Sequence, residues 1–173
     1  FFASCMIETK GKRYWPMKLL FKQRMFSWFD SYDIYDEAGN SVYTVEGKMS
    51  WGHRLVIYNA YKEEIGEIKE EVFTFLPRFR MYMNDECFGM IEKELSFFKP
   101  KSHLSCNDWA IYGDLMEWEY DVISEQDGCI MHASKEIFHL TDTYVLDIRK
   151  EGHALLSLMI VLAIDAAKCS GTG

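Results

Sequence analysis

"HALLSLMIVLAIDAAK", residues 153–168, is the most apolar stretch of this 173-residue chain, and from Ala154 to Ala167 only Ser157 and Asp165 interrupt it. Its reading decides the fold, because a membrane anchor, a peripheral helix and a core helix demand different surroundings. The run from Ala154 to Ile164 spans roughly 16 Å as a helix, about half of a hydrocarbon core of about 30 Å. An ionised Asp165 in lipid would add a few kcal/mol to the cost of insertion. The segment is therefore too short to cross a bilayer. Leu155, Leu156, Leu158, Met159, Ile160, Val161 and Leu162 cover every direction of the helical wheel, which leaves no polar face for an interfacial helix. A helix apolar all round is buried all round, and residues 152–168 are expected to be the central helix of a soluble fold.

Something has to surround that helix, and the preceding chain supplies short alternating segments that repeat. "FSWFDSYDIYDEAGN" (26–40) is followed 23 residues later by "MSWGHRLVIYN" (49–59), which lays Trp51 on Trp28 and Ile57 on Ile34. "FTFLPRFRMYM" (73–83), "SFFKPKSHLSC" (96–106), "WEYDVISEQDG" (118–128) and "FHLTDTYVLDI" (138–148) continue the series. A period of 23 or 24 residues is too short for a strand-helix-strand unit and fits two strands with their connections. "DEAGN" (36–40), "MNDEC" (83–87) and "EQDGC" (125–129) place Asn, Asp or Gly where hairpin turns need positive φ. Six hairpins predict about twelve antiparallel strands, closed into a barrel because closure removes the sheet edges. The class is thus mainly β, a closed antiparallel barrel around a hydrophobic C-terminal helix.

Composition agrees with one ordered domain. Aromatic residues make up 16% of the chain and only 3 prolines occur, which favours a β-rich folded chain. The formal net charge of -8 argues against nucleic acid or non-specific attraction to an anionic surface. Cys5, Cys87, Cys106, Cys129 and Cys169 form no CxxC pair and suggest reduced thiols in a cytoplasmic protein. Residues 1–16 lack the apolar run of a signal peptide and are expected to be a non-native or disordered extension, with residues 17–169 forming the domain.

The segments "FSWFDSYDIYDEAGN", "VYTVEGK", "LSFFKPK", "DTYVLDI" and "LLSLMIVLAIDAA" together resemble the LURP-one-related, YxjI-like family over about residues 17–168. That family's fold is similar to the C-terminal domain of tubby and to the phospholipid scramblases. The resemblance implies a twelve-stranded barrel wrapped round a central helix. It brings no catalytic motif, and the cysteine-rich acylation stretch of the scramblases is missing here.

Candidate chemistry is sparse. Asp30, Asp33 and Asp36 are three apart, so on a strand they point to opposite faces and read as turn and hairpin acids rather than metal ligands. His53, His103, His132, His139 and His153 never occur at i, i+4 spacing, and HExxH, GxSxG and a Gly-rich phosphate loop are absent from the sequence. Cys129 and His132 are expected to serve packing and surface polarity. Glu151 suits the start of the helix dipole, and Asp165 is expected to emerge into solvent at its end. No catalytic residue, cofactor or metal is expected. The basic residues Arg78, Arg80, Lys93, Lys99 and Lys101 fall in neighbouring segments and are expected to form one patch for an anionic phospholipid headgroup or other phosphate-bearing partner. The competing expectation is a protein-interaction scaffold that uses exposed aromatics such as Trp28, Trp51 and Trp118. Both place a non-catalytic binding function on the outside or rims of the barrel, in a cytoplasmic protein that touches membranes peripherally if at all.

Overall fold

The computed structural model describes residues 15–22, 31–75, 77–92, 101–103, 108–138 and 141–169. The expectations for Asp30, Trp28, Lys93, Lys99 and nearly all of residues 1–16 fall outside these. Twelve strands form a single antiparallel sheet: β1 (Met17–Lys22), β2 (Ser31–Tyr35), β3 (Ser41–Ser50), β4 (Gly52–Asn59), β5 (Glu64–Glu70), β6 (Arg78–Met83), β7 (Glu86–Glu92), β8 (Lys101–His103), β9 (Trp109–Asp114), β10 (Glu119–Ser124), β11 (Gly128–Phe138) and β12 (Thr141–Ile148). A 3-10 turn, Glu151–His153, leads into the only α-helix among the described residues, α1 (Ala154–Cys169). Neighbours in the sheet run β7-β6-β5-β4-β3-β2-β1-β12-β11-β10-β9-β8.

The sequence repeat maps onto this order with one shift. Each of the first five copies is a two-strand unit, β2-β3 through β10-β11, but the sixth supplies only β12 before the chain turns into α1. The twelfth strand is β1, which precedes the repeats and pairs with β12 from Met17↔Ile148 to Lys22↔Thr143. Hairpin turns use positive φ as their residues predict: Gly39 at +84°, Gly128 at +73°, and Asn84 with Asp85 at +50° and +63°. The Asp36 side chain caps its turn by accepting from the backbone and side chain of Asn40, which holds its carboxyl below the usual carboxylate range.

The terminal strands of the ladder are β7 and β8, and no pairing joins them among the described residues. Among the described residues the hydrogen bonds therefore form one curled sheet that runs from β7 to β8. Its curl is dictated by α1, whose residues Leu158 to Ile164 are at most 1% exposed. A flat sheet would cover one side of a helix, whereas α1 packs against β5, β6 and β7 and also against β12, five places along the ladder from β5. Inward side chains such as Phe21, Ile34, Val45, Ile57, Ile68, Phe79, Ile91, Ile111, Val122, Ile130 and Leu146 join the apolar residues of α1 from Ala154 to Ala167 in one core. Gly66 of β5 lets the helix come close, since a Cβ there would lie 3.3 Å from Met159 Sδ.

Gly113 carries the sharpest backbone constraint. Its φ is +126°, and a Cβ would lie 2.4 Å from the Glu119 carbonyl oxygen and 2.7 Å from Tyr120 Cα, both backbone atoms of the paired strand. Gly113→Ala should cost about 3 kcal/mol in urea denaturation, combining the dihedral penalty with the clash. Gly39→Ala, where nothing lies within 4 Å, should carry only the dihedral penalty of about 1 kcal/mol. Equal losses would show that the close β9-β10 approach does not matter.

The end of α1 differs from expectation. Asp165 does not emerge into open solvent: it is partly buried, and burial pushes its carboxyl up to about 6 against a modest opposing pull from Lys168. Lys168, one turn on, lies with its ammonium 4.9 Å from the centre of the Trp118 ring. Trp118 is only 6% exposed, so it is core and not the contact aromatic expected of it. The reason is the β9-β10 turn, where Trp118 adopts φ +60° and turns in beneath Phe21, Tyr120 and Tyr144.

Candidate functional site

A meander sends alternate connections to opposite ends of the sheet, so β3-β4, β5-β6 and β9-β10 turn at the end where α1 finishes. The other end holds the β2-β3, β4-β5, β6-β7 and β10-β11 turns and the start of α1. The two ends differ in chemistry. The second carries Asp36, Glu37, Glu63, Asp85, Glu125 and Asp127 in its turns. The first exposes Met49, Trp51, Val72, Phe73, Phe75 and Met116.

Two loops build most of this apolar end. Trp51 occupies the turn between β3 and β4 and is 86% exposed; Phe73 and Phe75, in the connection from β5 to β6, are 93% and 101% exposed. Backbone geometry holds them side by side. Gly52 has φ +88°, and a Cβ there would lie 2.8 Å from Val72 Cγ1, so only glycine lets the loops approach. The His53 amide donates to Glu70 Oε2 across the same gap, and the Glu71 amide donates to the Arg78 carbonyl to close the second loop. Phe73 has φ +65°, a conformation that costs a bulky residue energy while it displays the ring in solvent.

Behind the rings runs a row of cations. Lys48 pairs in register with Arg54, Arg54 with Lys69, and Lys69 with Arg80, across β3, β4, β5 and β6. All four lie on the outer face, opposite the inward Val45, Leu55, Ile68 and Phe79. At about 4.8 Å between strands, the row spans roughly 15 Å. Like charges directly opposite one another destabilise a sheet. Carboxylates offset this here: Glu46 binds Lys48, Glu67 binds both Arg54 and Lys69, and Glu71 accepts from Arg80 Nε. Lys48 and Lys69 also face the rings of Tyr58 and Tyr82 at 5.7 and 5.1 Å.

Of the basic residues singled out by the sequence, Arg78 and Arg80 share the outer face of β6 beside the aromatic loops. Lys101 lies on β8, opposite Tyr112 of β9 and at the far terminus of the ladder from β7. Lys93 and Lys99 lie outside the described residues. The structure thus keeps Arg80 in a row of cations, but its companions are Lys48, Arg54 and Lys69. These were legible as outward strand residues; what joined them was the register, which sequence spacing does not specify. Phe73 and Phe75 were hidden because they read as part of a strand that begins only at Arg78.

A second polar row crosses the other half of the sheet, where Asp121, His132, Asp147 and Lys18 are successive register partners. His132 Nδ1 lies 2.9 Å from Asp121 Oδ1, and that bond raises the imidazole above its usual range, as do the neighbouring Glu119 and Asp147 charges. Among the described residues no group of three or more His, Cys, Asp and Glu side chains could hold a metal ion. None of their helices is long and apolar enough to cross a membrane.

The profile of the LURP-one-related family matches residues 17–165, from the first strand to the last turns of the central helix. The uncharacterized protein YxjI of Bacillus subtilis (strain 168) is 29% identical over 150 residues, covering 86% of this chain and 92% of that protein. No solved structure gives a significant match. With the profile spanning the sheet and helix together, the chain belongs to the LURP-one-related family.

Proposed function

We propose that this LURP-one-related domain is a non-catalytic binding module that docks its apolar end on an anionic membrane surface. The observation that carries this is the stacking of two layers at one end: protruding Trp51, Phe73 and Phe75, then the cation row Lys48-Arg54-Lys69-Arg80 one step behind. Aromatic rings of this kind favour the boundary between headgroups and acyl chains, and cations at the next depth meet phosphate. The turns that carry Asp36, Glu37, Glu63, Asp85, Glu125 and Asp127 lie at the opposite end, away from the surface. Because each cation already contacts a carboxylate, ring insertion supplies most of the affinity and the basic row supplies the preference for anionic lipid. A barrel completed by β7 against β8, in the manner of the tubby and scramblase domains, is part of this proposal and would hold both loops at a fixed spacing.

Vesicle flotation tests it. The chain should float with vesicles containing phosphatidylserine, less with pure phosphatidylcholine, and less again at high salt. Trp51→Ser, Phe73→Asn and Phe75→Ser combined should abolish flotation while leaving thermal unfolding unchanged, since each exposed ring contributes roughly 1.5 kcal/mol or more on burial. Lys48→Gln with Arg80→Gln should weaken binding to anionic vesicles roughly thirtyfold, at about 1 kcal/mol per cation. Absence of flotation, or flotation indifferent to the loop variant, overturns the proposal. Self-association that depends on the same three rings, without vesicle binding, would reassign the end to a protein partner.

A further inference from the structure

The interior near the end of α1 holds polar groups that the proposed surface does not use. The Tyr32 hydroxyl on β2 and the Tyr120 hydroxyl on β10 are fully buried and have no hydrogen-bond partner among the described residues; Tyr120 as a whole is 2% exposed. Both feel Asp165 of α1, whose charge adds to burial in raising the two phenols above their usual range. Tyr32 and Tyr120 both lie near the starts of their strands, at the end of the sheet where α1 finishes, and both pack into the core around that helix; no direct bond links Asp165 to either phenol. Leaving a buried hydroxyl unpartnered is costly, and two such hydroxyls beside a carboxyl make a site rather than a packing accident.

We propose that Asp165, Tyr32 and Tyr120 frame an internal binding site for a small molecule that both donates and accepts hydrogen bonds, water in the free protein, which bridges the carboxyl group to the two phenols. Each phenol can donate to the bridging oxygen or accept from it, and the bridge donates to Asp165 when the carboxyl is ionised, so the two phenols and the carboxyl are all satisfied. The titratable groups facing Asp165 among the described residues are Tyr32 from β2, Tyr120 from β10 and Lys168 from its own helix. Lys168 lies against Trp118, whose ring packs on Tyr120 and on Tyr144, and Tyr144 stacks on Phe21. The upward displacement of Asp165 fits an enclosed carboxyl whose solvation comes from few molecules.

The site is tested by infrared titration of the carboxyl band together with detection of long-lived water by magnetic relaxation dispersion. The unaltered chain should show a protonated carboxyl band titrating near pH 6 that Asp165→Asn removes. Tyr32→Phe and Tyr120→Phe should each move that titration upward by about one pH unit, because each deletes one anchor of the bridge. Relaxation dispersion should count at least one long-lived water fewer in the doubly substituted Tyr32→Phe, Tyr120→Phe chain than in the unaltered chain. An unmoved titration in both phenylalanine variants, or an unchanged water count in the double variant, overturns the inference. The two readouts do not depend on membrane binding, so they stand or fall apart from the proposed surface.

Discussion

A chain lacking residues 153–168 will be recovered only as insoluble, unfolded protein. The deletion removes the helix whose residues Leu158 to Ile164 are at most 1% exposed, and with it the centre of the core that the inward side chains of the sheet share. Without α1, the sheet would curl around an apolar void that water cannot fill favourably, or open and expose that face. Single substitutions should grade the effect. Leu158→Ala, at a fully buried position, should cost about 2–5 kcal/mol. Ser157→Ala should be nearly neutral or stabilising, because the Ser157 hydroxyl is buried without a hydrogen-bond partner. Circular dichroism with urea unfolding measures both, and a soluble, cooperatively folded deletion product would refute the central role of the helix.

Asp165→Asn will make the folded chain more stable at neutral pH and leave it unchanged near pH 4. The carboxyl is raised from its ordinary 3.8 to about 6 in the folded state, mainly by burial. The folded chain therefore holds a proton that the unfolded chain has released between those values. Its stabilising contribution is complete below the unfolded value and is lost as pH rises through about 6. A displacement of about two units corresponds to about 3 kcal/mol of stability lost by pH 7, and the amide escapes that loss. His132 acts in the same sense, since its raised value makes its contribution present in mild acid and lost as pH rises. The difference between the two chains isolates Asp165. Urea midpoints that shift equally at pH 4 and pH 7.5 would place the effect elsewhere.

The distinction between what could and could not be read from the residues follows their range of interaction. Turn acids were legible because Asp36 and Asn40 act within one hairpin, and the positive φ at Asn84 and Asp85 is a local property. The 23-residue repeat was legible because strand pairs recur, although the last copy yielded β12 and α1 while β1 completed the sheet from outside the series. Trp118 and Asp165 were misplaced for a common reason. Each was judged by its own neighbours in sequence, but each is enclosed by residues of other elements: Trp118 by Phe21, Tyr144 and Lys168, and Asp165 by the walls that carry Tyr32 and Tyr120.

The sequence by itself determined that residues 153–168 are a buried helix and that the rest is an antiparallel meander able to surround it. Hydrophobic period, segment length and turn chemistry are short-range quantities that the chain carries openly. Tertiary structure alone decided that Lys48, Arg54, Lys69 and Arg80 form one row and that Trp51 stands beside Phe73 and Phe75. Register sets which outward residues become neighbours, and a slip of one residue would turn each of them to the opposite face. That register is locked by the inward side chains seated on α1, so the core that the sequence announces is also what assembles the surface that it conceals.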